Sequence, residues 1–382
     1  MFDGVDAALV ERPCVLVESG RIVAVLAGGA PPPETATVVD LGTATLLPGL
    51  VDAHVHLAFD ASTDAVGRLT AATDEELLDR MRAAARTALA AGVTTVRDLG
   101  DRSYLAVRLR DELAGDPAAG PQVLAAGPPI TTTRGHCWFL GGEADGVAGI
   151  RAAVRAHAER GVDVIKVMAT GGELTPGTRP HEPQYHAAEL RAAAEEAHRY
   201  GLPITAHAHA AAGVAGAAAA GFDMVEHCSF LTADTVAADQ AVIDAVVRAG
   251  VVVSATLGLL PGVPLPPRTA ALSPLLSAVF QRIHAAGATI VCSSDAGIGP
   301  HKPHDVLPYA AAHLSGILGA PGAEALRAVT SVPARACGLG DRKGRIAAGF
   351  DADLLAVDGD PLVDIATLRA VTAVFRAGHR VR

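Results

Sequence analysis

Pro48-Gly49-Leu50-Val51-Asp52-Ala53-His54-Val55-His56-Leu57 is the stretch on which the fold turns. Leu50 to Leu57 reads as an apolar strand entered through a Pro-Gly turn, and it ends on two histidines. Side chains two apart on a strand share a face, so His54 and His56 can both reach one ion. Histidines in this spacing also occur as exposed or satisfied core residues. The Pro-Gly-Leu-Val-Asp leading into them, at the head of a repeating pattern, favours the ligand reading.

The pattern continues down the chain. Val/Ile/Thr-rich runs at 94–99, 122–127, 163–172, 203–210, 224–228, 251–256 and 289–297 bring the strand candidates to eight. Ala-rich helical stretches lie between them, such as 75–92 and 187–201, each closed by glycine. Repeated β-then-α units imply a parallel sheet. Eight of them imply an α/β fold of the (β/α)8 TIM-barrel type, although an open doubly wound sheet fits the same periodicity. The chain ends differ from the middle. Residues 14–28 read as a hairpin around Ser19-Gly20, and 351–361 and 370–382 as short strands split by turns.

Composition narrows the functions. The 382 residues are 50% hydrophobic but only 3% aromatic, so the core is aliphatic. Lys plus Arg is 31 against 41 for Asp plus Glu, a net charge of −10, which disfavours a nucleic-acid or anionic-membrane partner. Cys14, Cys137, Cys228, Cys292 and Cys337 are scattered without a CxxC pair, so neither a disulfide framework nor a cysteine–zinc knuckle is indicated. No basic start precedes a long apolar run, and a cytoplasmic location is expected.

In a barrel, chemistry sits at the C-terminal ends of the strands. Lys166 interrupts the apolar run Val-Ile-Lys-Val-Met, where an inward ammonium is costly unless neutralised. A snorkelling lysine is the plain alternative. The sharper reading is carboxylation by carbon dioxide, which makes an anionic two-oxygen ligand able to bridge two metals. His207 and His227 each end a strand and suit zinc. His209 is two residues on and is placed on the substrate side. Asp295, after Ser293-Ser294, is either a helix cap or a further ligand.

These residues together resemble the amidohydrolase superfamily. The resemblance is carried by Pro48 to His56, Gly92-Val93-Thr94-Thr95-Val96-Arg97-Asp98, Lys166, His207, Glu226-His227 and Ser294-Asp295-Ala296-Gly297. Gly349-Phe350-Asp351-Ala352-Asp353-Leu354 resembles the strand that returns to the family's small β-sandwich. Gly127-Pro128-Pro129-Ile130-Thr131 with Gly135-His136-Cys137, and the lysine itself, resemble the imidazolonepropionase-like branch with Xaa-Pro and Xaa-basic dipeptidases.

The resemblance implies a distorted barrel over 48–344 and a small β-sandwich built from 1–47 and 345–382. It also implies two divalent metal ions, usually zinc. His54, His56 and Asp295 would hold one and His207 and His227 the other, with carboxylated Lys166 bridging. Water activated by the two ions would attack an amide carbonyl, Asp295 would shuttle the proton, and His136 would contact the carbonyl oxygen. The expected substrate is a small molecule or short peptide: a dipeptide, an N-acyl amino acid or a short chain. Opening of a cyclic amide or lactam, and removal of a follower peptide in natural-product maturation, are the alternatives. Arg179 and Tyr185 in the loop 172–186, and Lys302, His301 and His304 in the loop 299–305, are candidates to read the substrate. The start at Met1-Phe2-Asp3-Gly4 lacks the extra leading strand usual in relatives. Assembly into a homo-oligomer is left open.

Overall fold

Strand β4 (Leu50–Val55) pairs in parallel with β5 (Val93–Asp98), and β5 with β6 (Gln122–Ala125), in a computed structural model describing all 382 residues. A second parallel run holds β7 (Ile165–Met168), β8 (Ile204–Ala208), β9 (Met224–His227), β10 (Val252–Thr256) and β11 (Ile290–Ser293) in sequence order. The two runs close into a ring. Val55 bridges Ala296 just past β11, and Ile130 bridges Val167 of β7. Sequential order with closure excludes the doubly wound sheet, whose strand order reverses at a switch point.

The distortion has a local cause. Between β6 and the bridge at Ile130 the chain passes through Gly127, Pro128 and Pro129. Neither proline has an N–H to donate to the ladder, so the contact between the β6 and β7 segments is interrupted. Asp163 N–H reaches Ala125 O at 2.8 Å, and pairing resumes only past the prolines, where Ile130 gives its N–H to Lys166 O at 2.8 Å and Met168 N–H reaches Ile130 O at 2.8 Å. Helices follow the strands, as expected. Asp74–Ala90 starts in a capping box between Thr73 and Glu76, and Ala187–Arg199 follows β7. No helix is long and apolar enough to cross a membrane.

The chain ends form two small sheets. The hairpin β1 (Cys14–Glu18) with β2 (Arg21–Leu26) faces a sheet of β3 (Thr45–Pro48), β12 (Leu354–Val357), β13 (Val371–Arg376) and β14 (His379–Arg380). Met1, Ile22, Leu46, Leu354, Ala373 and Phe375 are among the residues of their separate core. The main aliphatic core fills the space between the barrel strands and their helices.

Candidate metal centre

The pleat of β4 sends Val55 into the main core and turns His54 and His56 to the other face. Their Nε2 atoms lie 3.2 Å apart, and Asp295 Oδ1 is 3.4 Å from each. Zinc binds nitrogen at about 2.0–2.1 Å, which gives a tetrahedral edge of roughly 3.3–3.4 Å. The three donors therefore span one face of such a tetrahedron. Asp295 is delivered there by a left-handed backbone (φ 58°), with its N–H on His54 O at 2.8 Å.

The hydrogen bonds behind the rings settle which nitrogen each presents. His54 Nδ1 is 2.9 Å from Glu226 Oε2, and Glu226 Oε1 accepts from Arg97 Nη2 (3.0 Å) and Thr205 Oγ1 (2.7 Å). His54 thus donates from Nδ1 and leaves the Nε2 lone pair free, the arrangement that orients a ligating imidazole. Burial opposes the charge on Glu226, but His54, Arg97 and Lys166 hold its carboxyl well below the usual range. Asp295 is likewise held down by His54, His56 and Lys302 against its own burial.

A second group lies on the adjoining strand ends. The donor atoms of His207, His209 and His227 lie within 4.8 Å of one another. His207 Nε2 is 3.0 Å from Gly171 O, which frees Nδ1. His227 Nδ1 meets Thr256 Oγ1 at 2.9 Å and His209 Nδ1 meets Ser229 Oγ at 2.7 Å; where each Nδ1 donates to the hydroxyl, Nε2 is the nitrogen that offers a lone pair. His227 sits at φ 68°, a strained backbone that recurs at functional sites. The two groups adjoin, with the rings of His54 and His227 5.2 Å apart. Burial keeps the imidazoles neutral: it lowers His54 and His209 to about 4 and drives His207 and His227 well below their ordinary value. A neutral ring with a free lone pair is the form that binds a metal.

Lys166 is buried in the wall of the same cavity, 1% exposed, and its Nζ has no hydrogen-bond partner. Burial lowers its pKa to about 8, although Glu226 and Asp295 oppose that fall. Its charge is felt by His54 in the first group and by His207 and His227 in the second. An orphaned buried amine demands an explanation, and two donor groups within its electrostatic reach offer one. The residues fit a pair of divalent ions. His136, 4% exposed, packs its ring 4.8 Å from His207 and keeps Nδ1 without a partner. A Cβ on Gly172 would stand 2.3 Å from that ring, so glycine is what lets the loop cross it.

These groups open into a cavity of about 470 Å³ with a largely apolar outer wall. Several expected substrate contacts lie elsewhere. Tyr185 is buried and its hydroxyl donates to Ala144 O at 2.8 Å. Arg179 is exposed and pairs with Glu182 at 3.3 Å. His304 is turned inward, with Nε2 2.9 Å from Phe59 O. None of the three lines the cavity, because each side chain is used to tie its own loop down. Lys302 does line it, but its ammonium donates to Thr256 O (3.1 Å) and Ser294 O (2.7 Å) and lies 4.0 Å from Asp295. It braces strand ends and is not free to meet a substrate. His209 does face the cavity, and it also joins the second imidazole group. Sequence reasoning gave no roles to Glu226 and Arg97. Both stand in stretches that carry the resemblance, as charged residues inside otherwise apolar strands, but nothing in the sequence pairs them with His54.

Comparison with known proteins agrees with this geometry. Residues 45–381 match the Amidohydrolase family. Ochratoxinase of Aspergillus niger is 28% identical over 413 residues, covering 96% of this chain and 82% of that protein. Imidazolonepropionase of Caulobacter vibrioides is 29% identical over 391 residues, covering 92% and 88%. The crystal structure of a Xaa-Pro dipeptidase with methionine bound in its active site superposes with a TM-score of 0.88 at 28% identity, over 99% of this chain and 97% of that one. With a match that runs from β3 almost to the C-terminus, the chain belongs to the amidohydrolase family and is a hydrolase of carbon–nitrogen bonds.

Proposed function

We propose that the protein is a binuclear, zinc-dependent hydrolase that cleaves the amide bond of a dipeptide, an N-acyl amino acid or a short peptide. The observation that carries this reading is Lys166, a buried amine without a partner, felt by both imidazole groups. Carboxylated by carbon dioxide, it becomes the anionic two-oxygen ligand that such a position calls for. His54, His56 and Asp295 would hold one ion, and His207 and His227 the other, with His209 offering a third nitrogen beside them.

The ions, when bound, lower the pKa of water toward neutrality and polarise the scissile carbonyl. The chain supplies the rest. Asp295, kept ionised by its surroundings, accepts the proton of the attacking water at its carboxylate and returns it to the leaving nitrogen. His136 donates to the carbonyl oxygen as charge develops there, a contribution of about 2.7–4 kcal/mol for a well-placed donor. The apolar outer wall excludes water and takes the substrate's hydrophobic groups. The similar Xaa-Pro dipeptidase, with methionine bound in its active site, supports a substrate that carries an amino acid.

The test is amine release across dipeptides, N-acyl amino acids and C-terminally extended short peptides, with zinc and bicarbonate present. Hits that share one C-terminal residue type are expected. No release from any of them by folded, zinc-loaded protein would overturn the reading.

A further inference from the structure

One side of the cavity's outer wall is built by the helix Pro267–Ala285. Arg268, Leu272, Leu276 and Phe280 lie four residues apart along it and all face the cavity. A guanidinium thus heads an apolar row. Lysines and arginines of the wall number three: Lys166, Lys302 and Arg268. Lys166 belongs to the metal centre, and Lys302 is spent on two backbone carbonyls. Arg268 alone has charge uncommitted. Its Nη2 is fixed by Thr232 O (3.0 Å) and Ala233 O (2.9 Å), while Nε and Nη1 make no hydrogen bond. Nη1 has only Glu173 Oε1 nearby, at 3.7 Å, and that partner is 67% exposed. Such a loose, solvated pair is easily exchanged.

We propose that Arg268 is a specificity-determining residue that receives the free carboxylate of the substrate, with Glu173 as the exchangeable partner it gives up. This rests on the amide-hydrolase reading and names the substrate class within it: an amino acid with a free carboxylate and an apolar side chain, joined through its nitrogen to an acyl group. The carboxylate sits at Arg268, and the apolar side chain packs on Leu272, one turn along the helix. The backbone carbonyls of Thr232 and Ala233 hold the guanidinium in place, so little side-chain freedom is lost on binding. Glu173 acts as a gate of like charge, disfavouring carboxylates that cannot displace it.

The probes are N-benzoyl-L-phenylalanine and N-(2-phenylethyl)benzamide, which differ only by the carboxylate. Wild-type holoenzyme is expected to prefer the acid at least tenfold in kcat/KM. In Arg268→Met that ratio falls about tenfold, through KM, and Arg268→Lys restores part of it. Glu173→Gln lowers KM for the acid. An acid-to-neutral ratio unchanged in Arg268→Met would overturn the proposal. Calorimetric binding of both probes to wild type and Arg268→Met separates this inference from the hydrolase reading. Loss of acid-selective binding in Arg268→Met supports the Arg268 site even if neither probe is cleaved. Equal acid-selective binding in both proteins overturns it even if both are cleaved.

Discussion

At the scale of single residues, the account depends on Lys166 and Asp295. Lys166→Ala removes the buried amine without filling its place with another ligand. Metal analysis should find the second ion lost, and turnover should fall by orders of magnitude, recovering in part with added short carboxylic acids. Two ions and full activity in the variant would refute the carbamate. Asp295→Asn keeps the shape of the side chain and removes its proton affinity. Its kcat should fall roughly 10²–10⁴-fold with the circular dichroism spectrum unchanged. Near-normal kcat would take Asp295 out of the proton shuttle. That His54 and His56 turn to one face was legible in the sequence because period-two geometry is a local property. The partner that orients His54 was not, since Glu226 lies 172 residues from it. No local pattern links residues so far apart. Tyr185, Arg179 and His304 went astray for a related reason: a loop sequence does not fix where its side chains point.

At the scale of elements, eight strands were legible because each is a short apolar run ending in a polar residue or turn, and the helices between them close on glycine. Ring closure was not legible. It depends on the bridges Val55–Ala296 and Ile130–Val167, each joining a barrel strand to a residue just outside a regular strand. The joint between barrel and sandwich offers a test. Gly92 precedes β5 at φ +91°, and a Cβ there would stand 2.8 Å from both Cδ atoms of Leu355 on β12. Gly92→Ala combines backbone strain with a clash, and should cost about 1–3 kcal/mol in a denaturation experiment. A neutral effect would mean that β12 can yield at this contact and that the two cores are less tightly coupled than described.

At the scale of the whole molecule, a buried charge cluster ties the C-terminal strands to the chain that follows the barrel. Lys343, 1% exposed, bonds Asp353 and lies 3.0 Å from Asp351, which Arg342 also holds at 2.8 Å. Burial opposes ionisation of Asp351, but Lys343 and Arg342 outweigh it and lower its pKa. A carboxyl with a depressed folded-state pKa stabilises the fold above its unfolded value, ordinarily near 3.8, and loses that contribution as pH falls through the folded value. Thermal stability should therefore drop on acidification below about pH 4. Lys343→Met takes one cation from the cluster but leaves Asp351 to Arg342 and Asp353 to Arg376, 3.0 Å away, so it should cost about 1–3 kcal/mol at neutral pH, with a smaller loss on acidification than in the wild type. An unchanged melting temperature would show the cluster to be solvated and inconsequential.

The central claim is that two metal ions in this cavity perform amide hydrolysis, and a titration tests it most directly. Protein stripped by a chelator is reloaded with zinc in bicarbonate while bound metal and amine release are followed together. The account predicts no activity without metal and a rise that completes at two ions per chain. Amide cleavage that persists after confirmed metal removal would contradict it.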